Sequence, residues 1–171
     1  MFDTNARFLS RTGRAWGLLA IFVAAGAIVL AAPAAADDKD KKSSYEVTVL
    51  AIRATKSNSV VSGELKAIAA QLRRQFKYTG FKLERKKQAR VNQGKPLATS
   101  LVGAYKAKIT PLSRDGNRVK LKIEISKREG SKDKPLINTT VTLDKGKYQM
   151  QGGWKIDTKS GDVLIVGVAG K

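Results

Sequence analysis

In two segments, Tyr105–Ile109 and Val119–Ser126, the chain alternates apolar and polar residues one for one. Tyr105, Ala107 and Ile109 are separated by Lys106 and Lys108; Val119, Leu121, Ile123 and Ile125 are separated by Lys120, Lys122 and Glu124, with Ser126 following. A period of two belongs to a strand with one dry and one wet face, and Asp115-Gly116-Asn117 between the halves is turn chemistry, so this region predicts an antiparallel hairpin. The same reading extends outward. Tyr45–Ala54 is a strand, with Tyr45, Val47 and Val49 alternating before Leu50 and Ile52. Phe81 and Leu83 begin a short strand that soon turns basic. The segment 127–134 reads as a charged loop. Ile137, Thr139, Val141 and Leu143 form a strand closed by Asp144-Lys145-Gly146; Tyr148–Gln151 leads into Gly152-Gly153-Trp154; and Val163–Val168 ends the chain's ordered pattern.

One segment has the helical period instead. Leu65, Ile68, Ala69, Leu72 and Phe76 form a single apolar stripe, with Ser62 as the expected cap, Glu64 in the first turn, and Gly80 as the stop. The expected fold is therefore mainly β (α+β): an antiparallel sheet or sandwich of six to seven strands with one amphipathic helix packed on it.

The N-terminal segment predicts export. Arg7, Arg11 and Arg14 precede 18 residues, Ala15–Ala32, that carry no charge, and small residues at Ala34 and Ala36 suit signal peptidase before Asp37. Half of that run is Ala or Gly and it sits at the short end of spanning length, which favours a cleaved signal peptide over an anchor. The expected organisation is 1–36 signal peptide, 37–44 disordered polar leader and 45–171 a single β-rich domain, periplasmic or secreted, with no stable membrane span after cleavage. Cys is absent, which excludes disulfide staples and a lipid anchor.

Composition limits the chemistry. Without His or Cys there is no Ser-His or Cys-His nucleophile and none of the usual zinc, haem or iron–sulfur ligand sets. Glycine-rich phosphate loops are absent. Ser131-Lys132-Asp133-Lys134 matches the S-x-x-K pattern but lies between strands without its companion motifs, so it reads as a turn. Asp157–Asp162 (DTKSGD) falls short of a cation loop and contains Lys159, so it reads as a hairpin turn. Asn138-Thr139-Thr140 is a glycosylation sequon inside a predicted strand. No catalytic, cofactor or metal residue is assigned, and no cofactor is expected.

The formal charge is +19, and the expected cleavage removes three Arg and one Asp, a net loss of two. The densest basic stretch runs from Lys66 through Arg73, Arg74, Lys77, Lys82, Arg85, Lys86, Lys87 and Arg90 to Lys95, with Glu84 the only acid among them. It is either an electropositive surface or a solvated face. Phe76, Tyr78 and Phe81 lie beside these charges, Phe76 as part of the core stripe. Lys outnumbers Arg 22 to 11, which suits plain surface, and no specific nucleic acid recognition is expected.

Two resemblances accompany this reading. The mature chain resembles a loose group of small exported bacterial proteins of unknown function. The marks are the helix ending in Phe76-Lys77-Tyr78, then Gly80-Phe81-Lys82-Leu83, a middle hairpin, Gly152-Gly153, and Val163-Leu164-Ile165. Residues about 107 to 153 resemble the β-module of secretins, the outer-membrane pores of secretion and pilus systems. The matching residues are Ile109-Thr110-Pro111, Gly116, Val119-Lys120-Leu121-Lys122-Ile123, Ile137-Asn138-Thr139-Thr140-Val141 and Lys145-Gly146 before Gly152-Gly153. The chain is expected to be too short for a secretin and to lack the ring-building domains, so no pore function is carried over. The expected function is a non-enzymatic envelope protein that binds a protein partner, through an open sheet edge, or serves as an assembly module. The alternatives are an electrostatic binder of anionic polymer or membrane surface, and a carboxylate- or Lys-based enzyme.

Overall fold

The computed structural model describes residues 43–156 and 159–171. The expected signal peptide and nearly all of the polar leader lie outside these residues. Eight strands form two antiparallel sheets. The first has the order β2-β1-β8-β7, from β1 (Ser44–Thr55), β2 (Gly80–Asn92), β7 (Gln149–Lys155) and β8 (Val163–Gly170). The second has the order β3-β4-β5-β6, from β3 (Leu97–Ser100), β4 (Tyr105–Asp115), β5 (Arg118–Glu129) and β6 (Lys132–Asp144).

Period-two patterning places the core. Tyr45, Val47, Val49 and Ala51 of β1 and Leu164, Val166 and Val168 of β8 face Tyr105, Ala107 and Ile109 of β4 and Val119, Leu121, Ile123 and Ile125 of β5. The alternate residues of the first sheet turn the other way. Leu50, Ile52, Ala54, Val163 and Ile165 pack with Leu65, Leu72, Phe81 and Met150. The first sheet is thus covered on both faces, and every residue of β8 is buried, which is why its sequence is continuously apolar rather than alternating.

The helical segment is a 3₁₀ helix of six residues, Gly63–Ile68, running into α1, Ala69–Gln75. Leu65 and Leu72 are fully buried, as the stripe predicts, with Ile68 and Phe76 at its margin. Ser62 does not cap it. Its hydroxyl accepts from the Leu83 N–H at 3.0 Å, tying the helix entry to β2. Gly80 is not the helix stop but the first residue of β2, and the backbone there passes close to another segment. A Cβ at Gly80 would stand 2.8 Å from Thr55 Cγ2 and 2.9 Å from the Asn58 carbonyl oxygen.

The described residues form eight strands, not six to seven. The additional strand, β3, has no signal in the sequence because Leu97–Ser100 is too short to show a period. β2 runs thirteen residues rather than a few, because its basic half pairs with β1 all the way from Gly80↔Thr55 to Asn92↔Ser44. The expected loop at 127–134 is a tight hairpin: β5 and β6 pair out to Glu129↔Lys132, and only Gly130 and Ser131 turn.

Candidate functional site

The Ser131-Lys132-Asp133-Lys134 match sits at that hairpin tip, with Lys132 and Asp133 already in β6. Asp133 accepts from Lys106 Nζ at 2.9 Å. In the DTKSGD segment, Asp157 and Thr158 lie outside the described residues, and Asp162 is engaged by Arg53 Nη1 at 3.3 Å. Among the described residues no three acidic groups converge as metal ligands. Asn138-Thr139-Thr140 lies in mid-β6.

The basic stretch is divided by its own structure. Side chains directly opposite one another in an antiparallel pair share a face. Arg85 and Lys87 pair with Ala51 and Val49 and so take the face toward the second sheet, whereas Lys86 and Arg90 pair with Leu50 and Glu46 and take the helix face. Lys66 lies in the 3₁₀ helix and Arg73 and Arg74 end α1, all three exposed; Lys95 belongs to the turn before β3. Lys82, Arg85, Lys86, Lys87 and Arg90 line an outer strand of the first sheet.

A second feature was not singled out in the sequence. The wet face of the second sheet carries an open concavity of about 480 Å³, lined by Ser100, Lys106, Lys108, Glu124, Ser126 and Asn138 among others. Its charges are mostly paired. Glu124 lies 3.1 Å from Lys108 Nζ and 3.5 Å from Lys122 Nζ, and its pairing with Lys108 holds its carboxyl below the ordinary carboxylate range against a smaller opposing effect of desolvation. The signal was the run of alternate lysines, read in the sequence only as a solvent face.

The four outer strands differ in what guards them. An unpaired strand edge invites pairing with another chain, and proteins blunt it with charge, shortness or bulges. β3 has four residues. β7 has seven and is bent by a bulge between Gly152 and Trp154. β2 carries five cations. β6 has a bulge at Leu136, just after Pro135, but from Ile137 to Leu143 (INTTVTL) it has no charge, no bulge and no Gly or Pro. Its inner-face residues Ile137 and Val141, with Leu136, are half-buried against the inter-sheet core.

Tyr105 Oη donates to the Lys155 carbonyl at 2.7 Å and stacks on Trp154 with ring centroids 6.3 Å apart, joining β4 to β7 across the two sheets. Desolvation raises the Tyr105 phenol pKa.

The chain matches no protein-family model and no curated protein. Among solved structures it is similar to the secretin-domain β-barrel of InvG from the Salmonella SPI-1 injectisome, at 11% identity over 75% of this chain and 62% of that one, with a TM-score of 0.31. It is similar to InvG in the open-gate state, at 12% identity over 75% and 60%, TM-score 0.31. It is also similar to the type II secretion secretin XcpQ of Pseudomonas aeruginosa, at 10% identity over 75% and 55%, TM-score 0.28. The chain spans less than two thirds of each of these proteins. The similarity is a weak one to secretin β-domains, and no function is taken from it.

Proposed function

We propose that this protein is an exported, non-enzymatic module of the cell envelope that binds a partner protein along the free edge of β6. One observation carries the reading: of four outer strands, three are blunted by shortness, bulging or charge, and β6 alone offers, beyond its bulge at Leu136, seven consecutive uncharged, regularly paired residues rich in Ile, Thr, Val and Leu. Main-chain hydrogen bonds along such an edge supply affinity without a pocket, and alternate side chains supply selectivity. Export rests on the N-terminal sequence, and mass spectrometry of the purified protein is expected to find a chain beginning near Asp37.

The edge is tested by photo-crosslinking in the envelope. A benzophenone side chain at Thr140 is expected to capture a discrete partner that persists at high salt, and the same group at Lys86 on β2 is expected to capture none. Equal capture at both positions, or none at Thr140, defeats the reading. The electrostatic alternative draws on the basic β2, whose charges are split between two faces and also serve to guard an edge.

A further inference from the structure

We infer that the strand accepted by β6 is an acidic one: an extended segment of a partner protein that alternates apolar and acidic residues, with its acids beside Thr140 and Thr142. This rests on the edge reading above and adds the chemistry of the occupant.

The inward side follows from register. Ile137, Val141 and Leu143 of β6 lie opposite Ile125, Leu121 and Val119 of β5, all three of them core residues. Ile137 and Val141 remain only half-covered at the core's rim. Inward side chains of an added strand would extend this layer, and removing apolar area from water favours apolar residues there.

The outward side is set by charge. Asn138, Thr140 and Thr142 lie opposite Glu124, Lys122 and Lys120. A strand added beyond β6 would run two strand spacings, about 9–10 Å, from β5. Thr140 and Thr142 are short and exposed, so a lysine from β5 can reach across them toward a carboxylate on the added strand. Lys122 Nζ pairs only with Glu124, at 3.5 Å, and Lys120 pairs with no carboxylate among the described residues. Acids are therefore favoured beside Thr140 and Thr142 and disfavoured beside Asn138, where Glu124 stands opposite. The flanks agree in sign: Lys132 and Lys134 precede the open stretch and Lys145 and Lys147 follow it, against Asp133 and Asp144. A second copy of this chain is the poorer occupant, since each copy brings to the contact its own lysines and a formal charge of +19 less the two lost on the expected cleavage.

The test uses the purified protein and four synthetic heptapeptides. The first alternates Val and Glu, the second Val and Lys, and the third and fourth are the Glu peptide N-methylated on one alternating set of backbone amides and on the other. At about 0.15 M salt, where distant charges are screened, the Glu peptide is expected to shift the backbone amide resonances of residues 136–143 and to bind at least tenfold tighter than the Lys peptide. Methylating one of the two sets is expected to abolish binding. Lys120→Glu with Lys122→Glu is expected to reverse the preference between the peptides. If both charge types bind β6 equally, the acidic assignment fails and the edge reading stands. If neither shifts β6, or if both methylated sets bind as well as the parent, the edge reading fails with it. Self-association that protects 136–143 from hydrogen exchange makes a second copy the occupant and overturns the inference.

Discussion

Arg53 on β1 donates from Nε to Glu84 on β2 at 2.8 Å, at the point where the β1–β2 register slips. Ala51 pairs with Arg85 and Ile52 with Leu83, so Glu84 is the extra residue of a bulge. The same guanidinium reaches Asp162 at 3.3 Å, so one cation ties the bulge to the turn before β8.

The pH dependence of this contact follows from its charge. The hydrogen bond from Arg53 is the largest cause lowering the Glu84 pKa, ahead of an opposing desolvation. A carboxylate whose pKa is lower in the folded state stabilises above its unfolded pKa and loses that contribution as pH falls through the folded one. Glu84→Gln is expected to cost about 1 kcal/mol in urea unfolding at pH 7, with the two proteins converging toward pH 3. A gap that persists at pH 3 would mean that charge is not its source.

Leu72 and Arg74 test the helix's orientation. Leu72 is fully buried and Arg74 is exposed one turn's fraction away. Leu72→Ala is expected to cost about 2–5 kcal/mol as a core truncation, and Arg74→Ala well below ~1 kcal/mol. Denaturation curves shifted equally by both would show that a different face is buried.

Gly152 marks a close approach of β7 to β8. A Cβ there would lie 2.5 Å from the Leu164 carbonyl oxygen and 2.6 Å from Ile165 Cα, both backbone atoms that cannot rotate away. Gly152→Ala is expected to cost about 1–3 kcal/mol by overpacking. Gly63→Ala, where an added Cβ meets nothing within 4 Å, is the control and is expected to be neutral or slightly stabilising in thermal melts.

Charge reversal separates a basic site from net charge. Arg73, Arg74, Arg85 and Lys86, each changed to Glu, remove the helix end and part of β2. Lys106, Lys108, Lys120 and Lys122, changed likewise, remove the wet face of the second sheet. Because Arg85 and Lys86 point to opposite faces of their strand, both quadruple variants are expected to lose heparin affinity equally near 0.15 M salt. A selective loss in the first set would establish a localised polyanion site.

Much of this architecture is written locally. The alternation of Val119, Leu121, Ile123 and Ile125 against Lys120, Lys122 and Glu124 determines the β4–β5 hairpin and its dry face, because a strand can turn only every second side chain inward. The spacing of Leu65 and Leu72 likewise determines which side of the helical segment is buried. Other features have no local signal. Lys86, Lys87 and Arg90 are in a strand because β1 lies beside them, β3 is a strand because β4 offers four residues to pair with, and the Ser62 hydroxyl accepts from the Leu83 N–H rather than from the helix. Strand order is likewise a property of the assembled fold. The segment Leu136–Leu143 has the same composition whether it lies in the middle of a sheet or at its border. Only the packing of β5 on one side, with no strand on the other among the described residues, leaves its backbone groups open.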